Sequence, residues 1–243
     1  MLKNSYKLSR QQTPEFVQNM RNKFSKHSFY LPFRRILQCL EEFYNPHTYL
    51  PFIQHSFNSS ELAIQNGKSD WFVLSLFIKN FGNLLYLFNQ PDIGLSINNP
   101  SSIIPQTFIT GCAFPKQIIY PEFNPSNDFS PNGIYKPHCG LKNTLVSYNN
   151  NEFLYQVLNN PLNKNLLPPE ALYCIRYSDL YLHHQYNAYE YLLDDYDKAM
   201  MPLLKEFVEY DLDGKSMKIY NINDYKKYEL LWKLFFQNYG LYL

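Results

Sequence analysis

The sequence predicts an all-α protein, and three observations support this prediction. Apolar residues recur at mixed spacings of three and four, which is the period of an amphipathic helix. No run of strict alternation predicts a ladder of strands. The chain has 243 residues, of which 45% are hydrophobic and 18% aromatic, so it can bury a sizeable core. Because no repeat or linker interrupts the pattern, we expect residues 1–243 to form a single domain.

The predicted helices differ in what justifies them. Two N-terminal segments and the last one are amphipathic, the segment 70–88 is apolar on every face, and Pro169 suits a first helical turn. The acids Asp194, Asp195 and Asp197 fit a helix N-terminus, where the macrodipole favours them, better than a cation site. In chain order the predicted helices are 15–24, 33–43, 59–65, 70–88, 151–158, 169–177, 195–212 and 223–239.

A long irregular region separates the two groups of helices. From about residue 91 to residue 140 the chain is rich in Pro, Asn and Ser with isolated aromatic residues. A loop of this length inside a domain is usually functional or wrapped on the core.

Composition excludes several classes of function. The formal net charge is +1 and no Lys/Arg run occurs, so we expect no nucleic-acid partner. The uncharged run 93–115 is broken by Pro100 and Pro105, so we expect no membrane span. The cysteines are widely spaced and form no CxxC, which favours reduced, buried thiols over a zinc site; they are Cys39, Cys112, Cys139 and Cys174.

The N-terminal region is basic. Up to Leu40 it contains a single acid, Glu15, against Lys3, Lys7, Arg10, Arg21, Lys23, Lys26, Arg34 and Arg35. This bias fits either a solvated helix surface or a mitochondrial targeting segment. The expected location is therefore mitochondrial or cytoplasmic, with no cleaved signal evident.

Familiar catalytic motifs are missing from the sequence. It contains no GxSxG, no Gly-rich phosphate loop and no HExxH. Cys139 follows His138 directly, but sequence neighbours seldom have the geometry of a nucleophile and its base. The unusual feature is instead Lys79-Asn80, which sits in the middle of the apolar segment 70–88.

Several segments together resemble the myo-inositol oxygenase family. They are "TPEFV", "LPFIQHSFNSSELAI", "DWFVLSLFI", "QTFITGC", "YKPHCGL", "NEFLYQVL", "LPPEALYCIRY" and "KAMMPLLKEFVEYDL", in this order from about residue 9 to near the C-terminus. The resemblance implies an all-helical, HD-domain-like fold. In that family a di-iron centre cleaves the inositol ring with O2 to give glucuronate.

The resemblance also implies where the iron ligands would lie. The family uses four histidines and two aspartates, and only the first histidine and the last aspartate are kept, as His55 and Asp211. The other four ligand positions fall on Lys79, Asn80, Asn150 and Ser178, and the family's substrate-binding lysine falls on Asn83. Lysine repels a metal cation, and Asn and Ser replace carboxylate and imidazole poorly. We therefore expect no metal and no cofactor.

These positions suggest a substitute for the metal. If Lys79 occupies the former site, Asp211 is its obvious counter-ion, because either charge alone would be costly to bury. We predict a Lys79–Asp211 salt bridge with His55, Asn80, Asn150 and Ser178 as hydrogen-bond partners. The alternative is that Lys79 extends outward to solvent.

Three functions remain open at this point. The favoured one is a catalytically inactive pseudoenzyme with no catalytic residues, not an enzyme, that serves as an accessory subunit of a larger assembly. The others are a module that binds a polyol or an inositol phosphate through Lys79, Asn83 and Arg176, and an enzyme with an altered metal site. The predicted partner surfaces are the C-terminal helix and tail, the aromatic loop 120–135 and the basic N-terminus.

Overall fold

The computed structural model of the chain describes residues 2–25, 33–45, 49–88, 106–123, 130–161, 166–215 and 222–239. These residues form α-helices and short 3-10 helices, and the only extended pairs within them are the isolated bridges Tyr44–Pro51 and Ile109–Val146. The all-α prediction is confirmed. No helix in these segments is long and apolar enough to span a bilayer.

The α-helices in the described segments are α1 (Leu2–Arg10), α2 (Pro14–Phe24), α3 (Phe33–Glu42), α4 (Phe52–Gln65), α5 (Asp70–Lys79), α6 (Asn150–Leu158), α7 (Pro169–Tyr177), α8 (Tyr181–His184), α9 (Asp195–Asp213) and α10 (Ile222–Tyr239). Eight of them correspond to predicted helices, and the other two, α1 and α8, were not predicted. The 3-10 helices are Asn80–Phe88, Pro121–Phe123, Leu141–Asn143 and Glu190–Leu192.

Helix α4 begins earlier than predicted. The sequence predicted a helix only from Ser59, because Gln54, His55 and Asn58 break the apolar pattern before it. All three of these polar side chains are buried, so α4 runs through the interior with polar groups facing the centre of the protein. Polar residues on a buried helix face need partners, and this one borders the candidate site.

The predicted helix 70–88 changes type at its middle. The α-helix ends at Lys79, and Asn80–Phe88 continues as a 3-10 helix. The side chain of Asn83 donates a hydrogen bond to the main-chain oxygen of Asn80 at 2.9 Å, which provides a local alternative to the α-helical pattern. The predicted helix was therefore correct in extent, but the change of type places Lys79 at a helix end.

Close packing brings α6 against this 3-10 segment. A Cβ atom at Gly82 would lie 2.2 Å from the main-chain oxygen of Asn150, so only glycine fits there. Helix α5 is surrounded by α4, α7 and α9, and its Phe77 stacks on Trp232 of α10 with ring centroids 4.1 Å apart. The core thus encloses the end of α5.

The described parts of the irregular region wrap on this core. Phe108 and Cys112 are buried, and the main-chain N–H of Ile134 donates to Gly111. The remaining predicted loop residues, 91–105 and 124–129, lie outside the described residues. All four cysteines are free, and Cys139 is the one that is only half-buried.

The acids before α9 cap that helix. Asp194 is the N-cap residue, and its side chain accepts a hydrogen bond from the N–H of Asp197 at 2.9 Å while the Asp197 side chain accepts from the N–H of Asp194 at 3.2 Å. This capping box gives the acids the helix-terminal role that the sequence indicated. Asp197 is nevertheless buried rather than solvated.

Candidate functional site

The centre of the protein holds a buried lysine between two carboxylates. Lys79 lies at the end of α5, and its Nζ is 3.1 Å from Asp211 Oδ2 and 3.1 Å from Asp179 Oδ1. Asp211 belongs to α9, and Asp179 follows α7. Lys79 is 4% exposed, so its side chain points inward rather than out to solvent. The ammonium group therefore links α5 to α9 and to the segment that follows α7.

The surrounding charges keep both Lys79 and Asp211 ionised. Burial alone would lower the pKa of Lys79, but Asp179 and Asp211 outweigh it, so the pKa lies above its usual value. Burial would raise the pKa of Asp211, but Lys79, His55 and Lys215 hold it well below its usual range. At neutral pH Lys79 and Asp211 therefore form an ammonium–carboxylate pair.

His55 and Asn80 extend the polar site on the α4 side. His55 Nε2 lies 3.3 Å from Asp211 Oδ1 and 2.7 Å from the main-chain oxygen of Asp211. The amide nitrogen of Asn80 lies 3.3 Å from His55 Nδ1 and 3.0 Å from the hydroxyl of Ser56. One edge of the imidazole thus faces Asp211 and the other faces Asn80.

Asn150 and Ser178 belong to an adjacent chain of hydrogen bonds. Asn150 Nδ2 donates to Asn151 Oδ1 at 3.0 Å, and Asn151 Nδ2 donates to Ser178 Oγ at 3.0 Å. Ser178 directly precedes Asp179, which reaches Lys79. Of the six positions that the family resemblance indicated, four therefore meet around the ion pair, and two meet each other through Asn151.

The residues present do not fit a di-iron centre. A cationic ammonium lies between the two carboxylates, where a metal ion would have to bind, and Asn80, Asn150 and Ser178 offer neutral oxygen or nitrogen atoms of low metal affinity. Within the described part of the chain, no group of three or more His, Cys, Asp or Glu side chains is arranged to hold a metal ion. The side chains at this site therefore fit a network of ion pairs better than a di-iron centre.

Sequence reasoning missed the second counter-ion. Asp179 follows Ser178 in "IRYSD", but one carboxylate was sufficient to neutralise Lys79, so the prediction did not include another. The signal was an acid next to a position already assigned to the site. With Asp179 included, the Lys79 centre is surrounded by more negative than positive charge, and Lys215 Nζ at 3.8 Å from Asp211 Oδ2 partly offsets this.

A second buried ion-pair network was also missed. The carboxylate of Glu152 accepts hydrogen bonds from Arg176 Nε at 2.7 Å and from Arg21 Nε at 2.8 Å. One of the functions left open by the sequence was a binding module that used Arg176 together with Lys79 and Asn83. In the structure each of these residues has an internal partner: Arg176 pairs with Glu152, Asn83 donates to the main chain of Asn80, and Lys79 pairs with the two aspartates.

Comparison with known proteins now adds to this geometry. The sequence model described as myo-inositol oxygenase matches residues 1–239. The chain belongs to the myo-inositol oxygenase family. It is 31% identical to the inositol oxygenase of Danio rerio over 239 residues, which is 93% of this chain and 82% of that relative.

Other relatives give the same result. The human inositol oxygenase is 28% identical over 238 residues, which is 92% of this chain and 80% of the relative. Inositol oxygenase 5 of Arabidopsis thaliana is 32% identical over 245 aligned positions, covering 93% of this chain and 74% of the relative. The family resemblance seen in the sequence is confirmed.

The comparisons also correct one expectation. From the replaced ligand positions we predicted that the chain is not an enzyme, and that prediction is wrong. The relatives are named inositol oxygenases, which places this chain in an enzyme family. The replaced iron ligands change the metal site, but they do not by themselves show that the chain has left the enzyme family.

Proposed function

We propose that this member of the myo-inositol oxygenase family serves as an accessory subunit of a larger protein assembly, with an ion-pair network in place of a di-iron centre. The observation that carries the proposal is the position of Lys79, whose Nζ lies 3.1 Å from both Asp179 and Asp211. Together with Lys215, 3.8 Å from Asp211, Lys79 supplies positive charge to offset the two carboxylates, so the fold does not need a metal ion to compensate them.

The surface of α10 supports a role in assembly. Trp232 faces the core, and Leu230 and Leu234 lie roughly opposite it at about 100° per residue. Leu230 is 68% exposed and Leu234 is 50% exposed. Two leucines one turn apart on an exposed face form an apolar strip of the kind that partner proteins cover. The tail residues Leu241 and Leu243 lie outside the described residues.

The other two predicted partner surfaces are weaker candidates. In the N-terminal region, Arg10 is buried and bonds to the main-chain oxygen of Gln106, and Arg21 pairs with Glu152, so both act internally. In the loop 120–135, Ile134 is exposed and Phe123 is half-buried. We therefore place the main partner surface on α10.

The proposal is tested by purification of the tagged full-length chain from its native cells. We expect a stoichiometric partner that is retained by the native chain and lost from the double variant Leu230→Glu/Leu234→Glu. The matched control is Ile64→Glu on α4, because Ile64 is also a surface aliphatic residue, at 38% exposure. A partner that is lost equally from both variants, or a chain that elutes only as a monomer, would contradict the proposal.

A second function, catalysis at an altered site, is compatible with the accessory role and is favoured by the names of the relatives. The buried His55, hydrogen-bonded to Asp211, is the group best placed for proton transfer there. Turnover of myo-inositol by the isolated native chain, abolished by His55→Gln, would establish this second function. A single domain over residues 1–243 and a mitochondrial or cytoplasmic location stay predictions.

A further inference from the structure

A separate cavity lies between α6, α7 and the start of α9. Its volume is about 370 Å³, within the range of small-molecule sites. Tyrosine, leucine and proline side chains form most of its walls, and its polar lining residues are Lys142, Asn159, Arg176, Asp194 and Asp197. Neither Lys79 nor its two aspartates belong to the lining. The cavity is therefore a second, independent candidate site.

The buried guanidinium of Arg176 lies among the aromatic rings of this cavity. Its central carbon is 4.3 Å from the ring centroid of Tyr155 and 5.1 Å from that of Tyr177, and both tyrosines line the cavity. Arg176 shares the carboxylate of Glu152 with Arg21. Within the described residues the two guanidinium groups pair with this carboxylate alone. One of the two buried positive charges is therefore left without a carboxylate of its own.

Arg176 also has hydrogen-bond donors to spare. Its Nε donates to Glu152 Oε2 at 2.7 Å, its Nη2 to Glu152 Oε1 at 3.2 Å and its Nη1 to the Tyr177 hydroxyl at 3.0 Å. A guanidinium carries five N–H groups, so each terminal nitrogen keeps one for which the described residues supply no acceptor. Arg176 is 3% exposed, and buried donors normally have a partner. These two N–H groups therefore indicate where an acceptor group of a guest would lie.

The two acids of the lining are already engaged. Asp197 Oδ2 accepts from the main-chain N–H groups of Leu141 at 2.8 Å and Asp194 at 3.2 Å, and the Tyr173 hydroxyl also bonds to this carboxyl group. Asp194 Oδ1 accepts from the N–H of Asp197, and its Oδ2 lies against Gly140, in the place that a Cβ atom would take. The N-terminus of α9 offsets their charge through its macrodipole. The charged groups left to bond a guest are therefore cationic.

We propose that this cavity binds a small organic monocarboxylate with a flat, apolar body. The carboxylate accepts the two remaining N–H groups of Arg176, because a guanidinium and a carboxylate match in geometry and in charge. The body packs against the tyrosine walls, and the exposed Lys142 adds a positive charge at the entrance. A doubly charged phosphate suits the cavity less well, because only one positive charge is uncompensated and Asp194 and Asp197 lie in the same lining.

Benzoate is a suitable probe, and benzamide is its neutral analogue with nearly the same shape. In a calorimetric or NMR titration of the full chain at pH 7, we expect benzoate to bind at least about fivefold more tightly than benzamide, because hydrogen bonds to an ionised acceptor are stronger than those to a neutral one. Phenyl phosphate should bind more weakly than benzoate. Equal affinities of benzoate and benzamide, no binding of benzoate, or a preference for phenyl phosphate would overturn the proposal.

Variants locate the binding within the cavity. Arg21 is not a lining residue, but Arg21→Gln leaves Glu152 to Arg176 alone, so it should weaken benzoate by about threefold or more and leave benzamide nearly unchanged. Lys142→Gln removes the charge at the entrance and should weaken benzoate by about twofold. Lys198→Gln is the control, since Lys198 is an exposed lysine of α9 outside the lining. An unchanged affinity for benzoate in folded Arg21→Gln protein would also overturn the proposal.

Discussion

Lys79 Nζ and Asp211 Oδ2 lie 3.1 Å apart and join residues separated by 132 positions in the chain. Both side chains are buried, so the contact ties the end of α5 to α9 without help from solvent. Buried ion pairs contribute little net stability compared with an apolar replacement, but breaking one by removing a single partner is costly. This asymmetry makes the pair directly testable.

Lys79→Met should strongly destabilise the protein. Methionine fills similar space but leaves Asp211 and Asp179 without a counter-ion, so we expect the free energy of unfolding to fall by about 3–5 kcal/mol. Urea denaturation at pH 7 measures this change. Lys198→Met is the matched control, because Lys198 forms an exposed pair with Asp195, and it should change stability by less than about 1 kcal/mol. Equal effects of the two variants would contradict a buried ion-pair centre.

The two counter-ions of Lys79 should not be equivalent. The Asp211 side chain is 2% exposed and that of Asp179 is 18% exposed, at the same distance of 3.1 Å from Nζ. Water can partly solvate the ammonium on the Asp179 side, so Asp179→Asn should cost about 1 kcal/mol and Asp211→Asn about 3 kcal/mol or more. Denaturant midpoints of the two isosteric variants give the comparison. A larger loss for Asp179→Asn would refute this order.

Two signals in the sequence predicted most of the helices and part of the site: the periodicity of apolar residues and the need to neutralise a buried charge. Helical spacing located the described α-helices apart from α1 and α8. The family resemblance placed Lys79 and Asp211 in one site although they are far apart in sequence. Asp179 was missed because neutrality needed only one acid. The aromatic cavity was missed because tyrosines at helical spacing, such as Tyr173 and Tyr177, have the pattern of core residues. Only the packing of α6, α7 and α9 leaves space between them.

His183 should make stability depend on pH in mildly acid solution. Burial and the neighbouring His184 lower the pKa of His183 to about 4, from 6.5 in an exposed histidine. Between these values the unfolded chain binds a proton that the folded chain does not, so stability should fall as pH falls from 6.5 towards 4, by up to about 3 kcal/mol.

The variant His183→Leu isolates this effect. The free energy of unfolding of the variant, relative to that of the native protein, should rise steadily as the pH is lowered through that window. The reference is the difference at pH 7.5, where His183 is unprotonated in both the folded and the unfolded chain. Denaturant titrations at several pH values measure the difference. Parallel curves for the two proteins would show that His183 does not titrate as its burial requires.

Restoring the family's ligands should restore metal binding, because the obstacle in this chain is its donor set. The variant Lys79→His/Asn80→Asp/Asn150→His/Ser178→His regains four donors beside His55 and Asp211 and removes the ammonium that repels cations. We expect metal analysis to find iron in this variant and almost none in the native chain. Iron should also raise the unfolding temperature of the variant, because a ligand that binds only the folded state stabilises it.

A matched control tests the role of the lysine itself. Asn150→His/Ser178→His adds two imidazoles but keeps Lys79, so it should bind iron far more weakly than the fourfold variant. Circular dichroism checks that each variant folds, which matters because Ser178 is fully buried and histidine is larger. If the control binds iron as well as the fourfold variant does, the ammonium of Lys79 is not what excludes the metal. If the native chain binds iron stoichiometrically, the ion-pair centre does not replace the di-iron centre.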